Sequence, residues 1–365
     1  MPASSNVLVL NKKIFGTHLK ADALLRLLPR GAYTTARTVG KRGVFEFETH
    51  VKRTAASCAS LIGDNLATFG GHLPPVATEA GLRSRLTTSM QLATMALRSQ
   101  LSASFSQTST DSYPNVKLTC LIVTNDSDIL NCCSTAGPLR SHLIRSFDAT
   151  SFDINTDDTF LDSNLKMAPL QDDNNLGGRT LLILHATLLP PRRFPPVKVV
   201  IAGAPRENAL AKDSEWVRAR TSLEASKGDD VEEVLLCVTE KERLRVLEGT
   251  QTNVFALIGD VIYTAGGSDV LEGTVRRLVL EVCAENNIPV ILEAPTLGDS
   301  EKAWNGAFLT STSRLVLPID EMEWKTQSSD GSSRIHKQTF KPSERISTIE
   351  RLVNSAVEGH CSNIL

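Results

Sequence analysis

Two periods alternate along this chain. Near its start, Asn6-Val7-Leu8-Val9-Leu10-Asn11-Lys12-Lys13-Ile14-Phe15-Gly16 predicts a strand running into a turn. A helix follows from about Leu82 to Leu101, where Leu82, Leu86, Met90, Ala93 and Leu97 recur at helical spacing and share one face. Arg179-Thr180-Leu181-Leu182-Ile183-Leu184-His185 and Val197-Lys198-Val199-Val200-Ile201-Ala202-Gly203 read as buried strands. Between them lies Leu189-Pro190-Pro191-Arg192-Arg193-Phe194-Pro195-Pro196. Its four prolines in seven positions continue neither a helix nor a central strand.

The second half is more regular. Short strands are expected at Val234 to Val238, Arg243 to Leu247, Asn253 to Ile258 and Val261 to Thr264, with Gly259-Asp260 as a two-residue hairpin turn. A helix from Thr274 to about Asn286 puts Val275, Leu278, Val279 and Val282 on its core face, and Asn286-Asn287 and Pro289 stop it. The strand Arg314 to Pro318 precedes a polar loop around Ser328 to Ser333. A last amphipathic helix, Pro342 to about Val357, buries Ile346, Ile349 and Val353. Helices and strands mix without a repeating βαβ period, so the class is α+β. The expected organisation is an N-terminal lobe over 1–188, a proline-rich linker over 189–208 and a C-terminal lobe over 209–365. Ser99 to Ser112 and Asp148 to Gly178 are polar enough to be surface insertions.

Composition narrows the function. The chain has 365 residues, enough for two domains, and a formal net charge of −2 with no clustered basic face, so nucleic acid is not an expected partner. Nothing approaches the run of about 18 apolar residues that a membrane span needs. The N-terminus lacks the order of a signal peptide, and a cytoplasmic location is expected; Lys12, Lys13 and Lys20 with no acid before Asp22 leave an organellar alternative. Seven cysteines form no CxxC pair and no His-interleaved metal pattern, so no metal is expected. Several, such as Cys237 in Val234-Leu235-Leu236-Cys237-Val238, read as buried free thiols, and the vicinal Cys132-Cys133 pair is a redox candidate.

The chemistry concentrates in two glycine corners. Leu247-Glu248-Gly249-Thr250-Gln251-Thr252-Asn253 sets an acid beside a strand, and Leu271-Glu272-Gly273-Thr274-Val275-Arg276 sets backbone N–H groups at a helix start. A carboxylate at a strand end can hold a protonated ring nitrogen, and helix-terminal N–H groups can hold a phosphate. Pyridoxal phosphate needs both. The bland alternative for each corner is an ordinary Gly/Thr turn. Gly266-Gly267-Ser268 lacks the following lysine of a phosphate loop and reads as a turn.

These corners occur in order with Gly31-Ala32-Tyr33-Thr34-Thr35-Ala36-Arg37, Glu48-Thr49-His50-Val51-Lys52-Arg53, Ala211-Lys212-Asp213-Ser214 and Phe308-Leu309-Thr310-Ser311-Thr312-Ser313. Over roughly residues 31 to 320 the chain resembles the class IV (fold type IV) pyridoxal-phosphate enzymes. That family includes branched-chain aminotransferases, D-amino-acid aminotransferases and aminodeoxychorismate lyases, and the chain resembles a eukaryotic subgroup described as D-amino-acid-transaminase-like. The resemblance implies a two-lobed fold with a smaller N-terminal α/β lobe and a C-terminal β-barrel-like α/β lobe that binds the cofactor. It also implies a homodimer acting on an amino acid and a 2-oxo acid. By the same resemblance Lys212 is the Schiff-base lysine, Glu248 the partner of the pyridine nitrogen and Arg53 the phosphate arginine. Thr274 and Val275 would offer N–H groups to the phosphate, Thr312 a hydroxyl, and Tyr33 would line the substrate pocket. His50 is expected to be structural.

Three departures stand out. Ser214-Glu215-Trp216-Val217-Arg218 holds no tyrosine where such aminotransferases often place one to bond the cofactor's ring oxygen. Glu272 and Val275 replace residues that are commonly Pro and Thr. No carboxylate-binding arginine is identified; Arg218 and Arg220 are candidates expected on a helix surface. The resemblance therefore leaves three readings: an aminotransferase, an aminodeoxychorismate-type lyase releasing pyruvate, and a fold retained without catalysis.

Overall fold

The computed structural model describes residues 6–10, 12–63, 74, 77–104, 113–124, 180–240, 243–298, 303–327 and 333–365. The first apolar run forms β1 (Asn6–Leu10), reverses at Lys12 with φ 67°, and returns as β2 (Lys13–Thr17), a second strand where a turn is the sequence expectation. After α1 (Ala21–Leu27) come β3 (Ala32–Val39), β4 (Gly43–Phe45), α2 (Phe47–Ile62), α3 (Glu79–Ser104), β5 (Val116–Val123) and β6 (Leu181–Leu188). Together with β18 (Cys361–Asn363) these strands make a seven-stranded antiparallel sheet in the order β18-β4-β3-β5-β6-β1-β2.

Alternation divides that sheet between two apolar layers. Val7, Val9, Ala32, Ala36, Leu118, Cys120, Leu182 and Leu184 face a core shared with Val51 and Ala55 of α2 and with Leu82, Leu86, Met90, Ala93 and Leu97 of α3. Leu8, Leu10, Tyr33, Leu121, Val123, Leu181 and Ile183 face the other, with Leu24, Leu25 and Leu28. The five α3 positions singled out by period are each buried, at 1% exposure or less.

The chain divides into two compact units. The first contains Met1–Pro190, Ala211–Arg218 and Cys361–Leu365, the second Pro191–Leu210 and Ala219–His360. A single break over 189–208 is thus too simple. The segment carrying Lys212 returns to the first unit because its backbone bonds β3, and the last residues return because β18 pairs with β4.

The second unit holds β7 (Lys198–Gly203), β8 (Val231–Glu240), β9 (Arg243–Gly249), β10 (Asn253–Ile258), β11 (Val261–Tyr263), β12 (Val290–Ile291), β13 (Thr296–Leu297), β14 (Trp304–Ser311), β15 (Leu315–Pro318), β16 (Glu321–Gln327) and β17 (Ser333–Thr339). These form one mixed sheet in the order β12-β11-β10-β9-β8-β7-β16-β17, with β13 on β9, β14 on β10 and β15 on β14. Its apolar core gathers Val199, Ile201, Leu235, Val246, Val254, Ala256, Ala307, Leu309 and Leu317. Gly259, at φ 59°, makes the hairpin reversal between β10 and β11 that its sequence predicts. The short α4 (Glu215–Ala219) and α5 (Thr221–Ser226) lead into β8, while α6 (Thr274–Glu285) and α7 (Glu344–Ala356) bury the apolar faces read from their period. Ser343 caps α7, its hydroxyl accepting from Ile346 N. The β16–β17 hairpin gives little periodic signal, since β17 turns mostly exposed residues to both sides.

Each unit joins helices to a sheet, the α+β class of the sequence reading. Among the described residues no helix is long and apolar enough to cross a membrane. Cys58, Cys120 and Cys283 are buried thiols and Cys237 and Cys361 partly buried ones, none of them in a disulfide. Cys132-Cys133, residues 148–178, 105–112 and 328–332 lie outside the described residues.

Candidate active site

Lys212 sits in a strap anchored on both sides within the first unit. Tyr33 N donates to Lys212 O at 2.8 Å and Ser214 N to Gly31 O at 2.9 Å, while Gly31 N donates to Ser214 Oγ at 3.0 Å. Gly31 is required here: a Cβ would lie 2.2 Å from Ile122 O. From α2, Ser57 Oγ accepts from Lys212 N at 3.0 Å and donates to Arg53 O at 2.8 Å. Strap and helix are therefore locked by one hydroxyl.

The lysine side chain is half-buried. Its Nζ lies 3.4 Å from the Tyr33 hydroxyl and 4.4 Å from the centroid of the Tyr33 ring. A cation over an aromatic face with a hydroxyl in reach is a held amine, not a solvated one. Tyr33, expected to line a pocket, is thus a direct neighbour of Nζ. Arg53 is turned inward from α2: its Nη2 lies 3.2 Å from Thr34 Oγ and 3.3 Å from His50 Nδ1. His50 is fully buried, with Nδ1 2.8 Å from Thr34 Oγ. Burial first, then the charges of Arg53 and Lys212, hold its pKa well below the usual histidine value, so the ring is neutral beside two cations.

In the second unit the two glycine corners are fastened to each other through Leu271. Glu248, at the end of β9 and 4% exposed, accepts from Leu271 N on Oε2 at 3.0 Å. Asn253 Nδ2 donates to Leu271 O at 2.8 Å. Asn253 Oδ1 occupies the space a side chain at position 273 would need, 2.2 Å from an ideal Cβ. The acid, the asparagine and the glycine of the two motifs thus form one assembly, which explains why they occur together in sequence.

Gly273 is the N-cap of α6 and has no side-chain cap bond, so the first-turn N–H groups of Thr274 and Val275 are presented by the backbone alone. Val275 buries its side chain in the core, so its contribution is the N–H group. Thr312, in the turn after β14, places Oγ 3.3 Å from Thr274 Oγ. Two hydroxyls and uncapped N–H groups beside a helix N-terminus suit an anion. This unit by itself fits the ring and phosphate of pyridoxal phosphate, with a carboxylate for the ring nitrogen and a seat for the anion. The first unit, taken separately, carries the held amine of Lys212 and the inward arginine Arg53.

Two participants escape sequence reading. Arg206 Nε donates to Glu248 Oε1 at 2.7 Å, and the two side chains are 6% and 5% exposed. Glu233, 1% exposed, accepts from Thr250 Oγ at 2.6 Å and from Gln251 N at 3.3 Å, bracing the turn that follows Glu248. Neither belongs to a periodic pattern or a glycine corner, and their partners lie 42 and 17 residues away. The helix-surface expectation for Arg218 and Arg220 is corrected. Arg218 donates to Leu28 O and Arg26 O as well as to Glu215. Arg220 is buried, pairing with Glu224 and donating to Thr250 O. Gly267 at φ 66° opens a 3₁₀ turn over Gly267–Asp269, the turn expected of Gly266-Gly267-Ser268.

Residues 163–322 match the family model "Amino-transferase class IV". Among solved structures, a branched-chain aminotransferase from Thermoproteus uzoniensis with norvaline is 14% identical, with a TM-score of 0.58 over 98% of this chain and 99% of that one. A branched-chain amino acid aminotransferase from Thermobaculum terrenum in its PLP form is 13% identical, with a TM-score of 0.58 and full coverage of both chains. No curated protein matches the sequence.

Proposed function

We propose that this chain, which carries the class IV amino-transferase pattern over residues 163–322 and the fold of branched-chain aminotransferases, is a pyridoxal-phosphate-dependent aminotransferase. The observation that carries the reading is the junction at Leu271, where the corner bearing Glu248 and the corner opening α6 are bonded into one assembly. A turn that served only to reverse the chain would need no buried carboxylate there.

When bound, the cofactor supplies an aldehyde for the amino group and a protonated ring that takes up electrons when the Cα–H bond breaks. Lys212 provides the amine that attaches the cofactor and afterwards carries the proton at Nζ. The Tyr33 ring and hydroxyl hold that amine in place and restrict its rotamers. Glu248 accepts the hydrogen bond of the ring nitrogen. Thr274 and Val275 N–H, the Thr312 hydroxyl and the Arg53 guanidinium bind the phosphate. His50, neutral and bonded to Thr34, keeps Arg53 turned inward without adding a charge. The substrates are an amino acid and a 2-oxo acid.

The test is the visible absorption of the purified protein with pyridoxal phosphate, beside Lys212→Ala. The expected result is a visible band that borohydride fixes covalently in the wild type and not in the variant. No band and no binding in the wild type would overturn the reading. Amino-acid panels with a 2-oxo acid acceptor then define the reaction. Pyruvate released without an acceptor would assign the lyase chemistry of aminodeoxychorismate lyases instead.

A further inference from the structure

We propose that Arg206 is a positioning residue that orients the Glu248 carboxylate and, by sharing its charge, lowers the proton affinity of the cofactor's ring nitrogen. The inference deepens the aminotransferase reading and rests on it. It begins from a buried pair: Arg206 Nε is 2.7 Å from Glu248 Oε1, with both side chains almost removed from water. Arg206 Nη2 also donates to Ala209 O, so the guanidinium is tied to the chain segment that precedes Lys212.

The geometry holds the carboxylate through both of its oxygens. It offers about four lone-pair sites. Arg206 occupies one on Oε1 and Leu271 N one on Oε2, which holds the carboxylate plane from two directions. A ring N–H bonded to this carboxylate meets an ion pair rather than a lone anion. Arg276 adds to this: it is buried, its Nη2 donates to Ala265 O, and it interacts electrostatically with Glu248 and Glu272. In a region of low dielectric, a cation within a hydrogen bond of the carboxylate offsets much of its field at any third group. A ring that holds its proton less tightly is a weaker acceptor of the electron pair, so pH and Arg206 together set how readily the substrate's Cα proton is removed.

Charge and shape are separated by two substitutions. Arg206→Gln removes the charge and keeps a donor; Arg206→Lys keeps the charge and loses the fork. The readout is the ¹⁵N resonance of ring-labelled pyridoxal phosphate bound to each protein, titrated from pH 6 to 10, with Glu248→Gln as the control. The expected result is at least roughly tenfold higher ring-nitrogen proton affinity in Arg206→Gln, a value within about threefold of wild type in Arg206→Lys, and lower affinity in Glu248→Gln.

A second readout needs no cofactor. Thermal unfolding of the cofactor-free protein should show a lower midpoint for Arg206→Gln, recovered in Arg206→Gln/Glu248→Gln, because the double variant leaves no unpaired buried charge. If Arg206→Gln alone does not fold, Arg206→Lys and the double variant carry the test: recovery of folding in the double supports the pair. An unchanged titration in Arg206→Gln beside a shifted one in Glu248→Gln would overturn the role of Arg206 and leave the enzyme reading standing. Wild-type protein that binds no labelled cofactor would instead sink the enzyme reading itself.

Discussion

Position 273 is held to glycine by Asn253, and adding a single methyl group there should show it. An ideal Cβ at position 273 lies 2.2 Å from Asn253 Oδ1 and 3.4 Å from its Cγ. The amide has nowhere to go: Asn253 is 5% exposed and its Nδ2 is bonded to Leu271 O at 2.8 Å. The backbone at Gly273 has φ −66° and ψ 144°, which alanine adopts without strain, so the whole penalty is packing. Forcing a methyl into such a site costs about 1–3 kcal/mol. A helix N-cap also prefers glycine to alanine, which adds a smaller term in any background. Asn253→Ala alone removes one of the two donors to Leu271 O, Gly273 N being the other at 2.8 Å, and costs about 1 kcal/mol.

The test is a double-mutant cycle by urea unfolding of the cofactor-free protein. Gly273→Ala should destabilise by about 2 kcal/mol in the wild type but by less than about 1 kcal/mol in Asn253→Ala, a coupling of at least about 1 kcal/mol. Gly273→Ala should also weaken pyridoxal phosphate binding, since relieving the clash moves the N-terminus of α6. An equal cost in both backgrounds would refute the reasoning, because the asparagine would then not be what excludes the side chain.

Three further outcomes are expected. His185 is buried in β6, its Nε2 bonded to Leu19 O at 2.9 Å, and burial depresses its pKa to about 4. The unfolded chain therefore binds the extra proton first: the stability this group contributes is complete above about pH 6.5 and is lost as pH falls from there to about 4, in total about 3 kcal/mol. His50 acts in the same direction, so the comparison with His185→Gln isolates one ring. Urea unfolding at about pH 7 and 4.5 should show a loss about 2 kcal/mol smaller in the variant, and equal losses would disprove the assignment. Ser57→Ala removes the buried hydroxyl that bonds both Lys212 N and Arg53 O and should cost about 1–2 kcal/mol, whereas Arg30→Ala removes an ion pair to Asp213 whose arginine is 57% exposed and should cost less than about 1 kcal/mol. The reverse ranking by denaturation would show that the strap is held from outside. Cys58, its thiol pushed up to about 12 by burial, should resist alkylation at about pH 8 until the protein unfolds, as followed by peptide mass mapping.

Much of the scaffold is written locally. The core face of α3, the apolar faces of α6 and α7, the β10–β11 hairpin and the strand runs of β6 and β7 all follow from a period of about 3.6 or 2 plus turn chemistry, which neighbouring residues encode. The two glycine corners are visible for the same reason: an acid, a glycine and an asparagine within six positions constrain one another's backbone. Lys212 is singled out by resemblance rather than by pattern, since a single lysine has no period.

Joining distant segments is the work of packing. Lys212 belongs with β3 because Tyr33 N and Gly31 O bond a strap far along the chain, and no composition shift announces that return. Leu271 joins Glu248 to the start of α6 through its backbone N–H and C=O, groups that every residue but proline carries and that sequence therefore cannot distinguish. Arg206 and Glu233 belong to no motif or period along the chain and become buried partners of Glu248 and Thr250 only when the strands of the second unit assemble. Local sequence thus dictates the elements and most of the chemical groups. Burial, which sets the strength of each charge and the freedom of each side chain, arises only when the segments pack, because water is excluded by the assembled layers and not by any one of them.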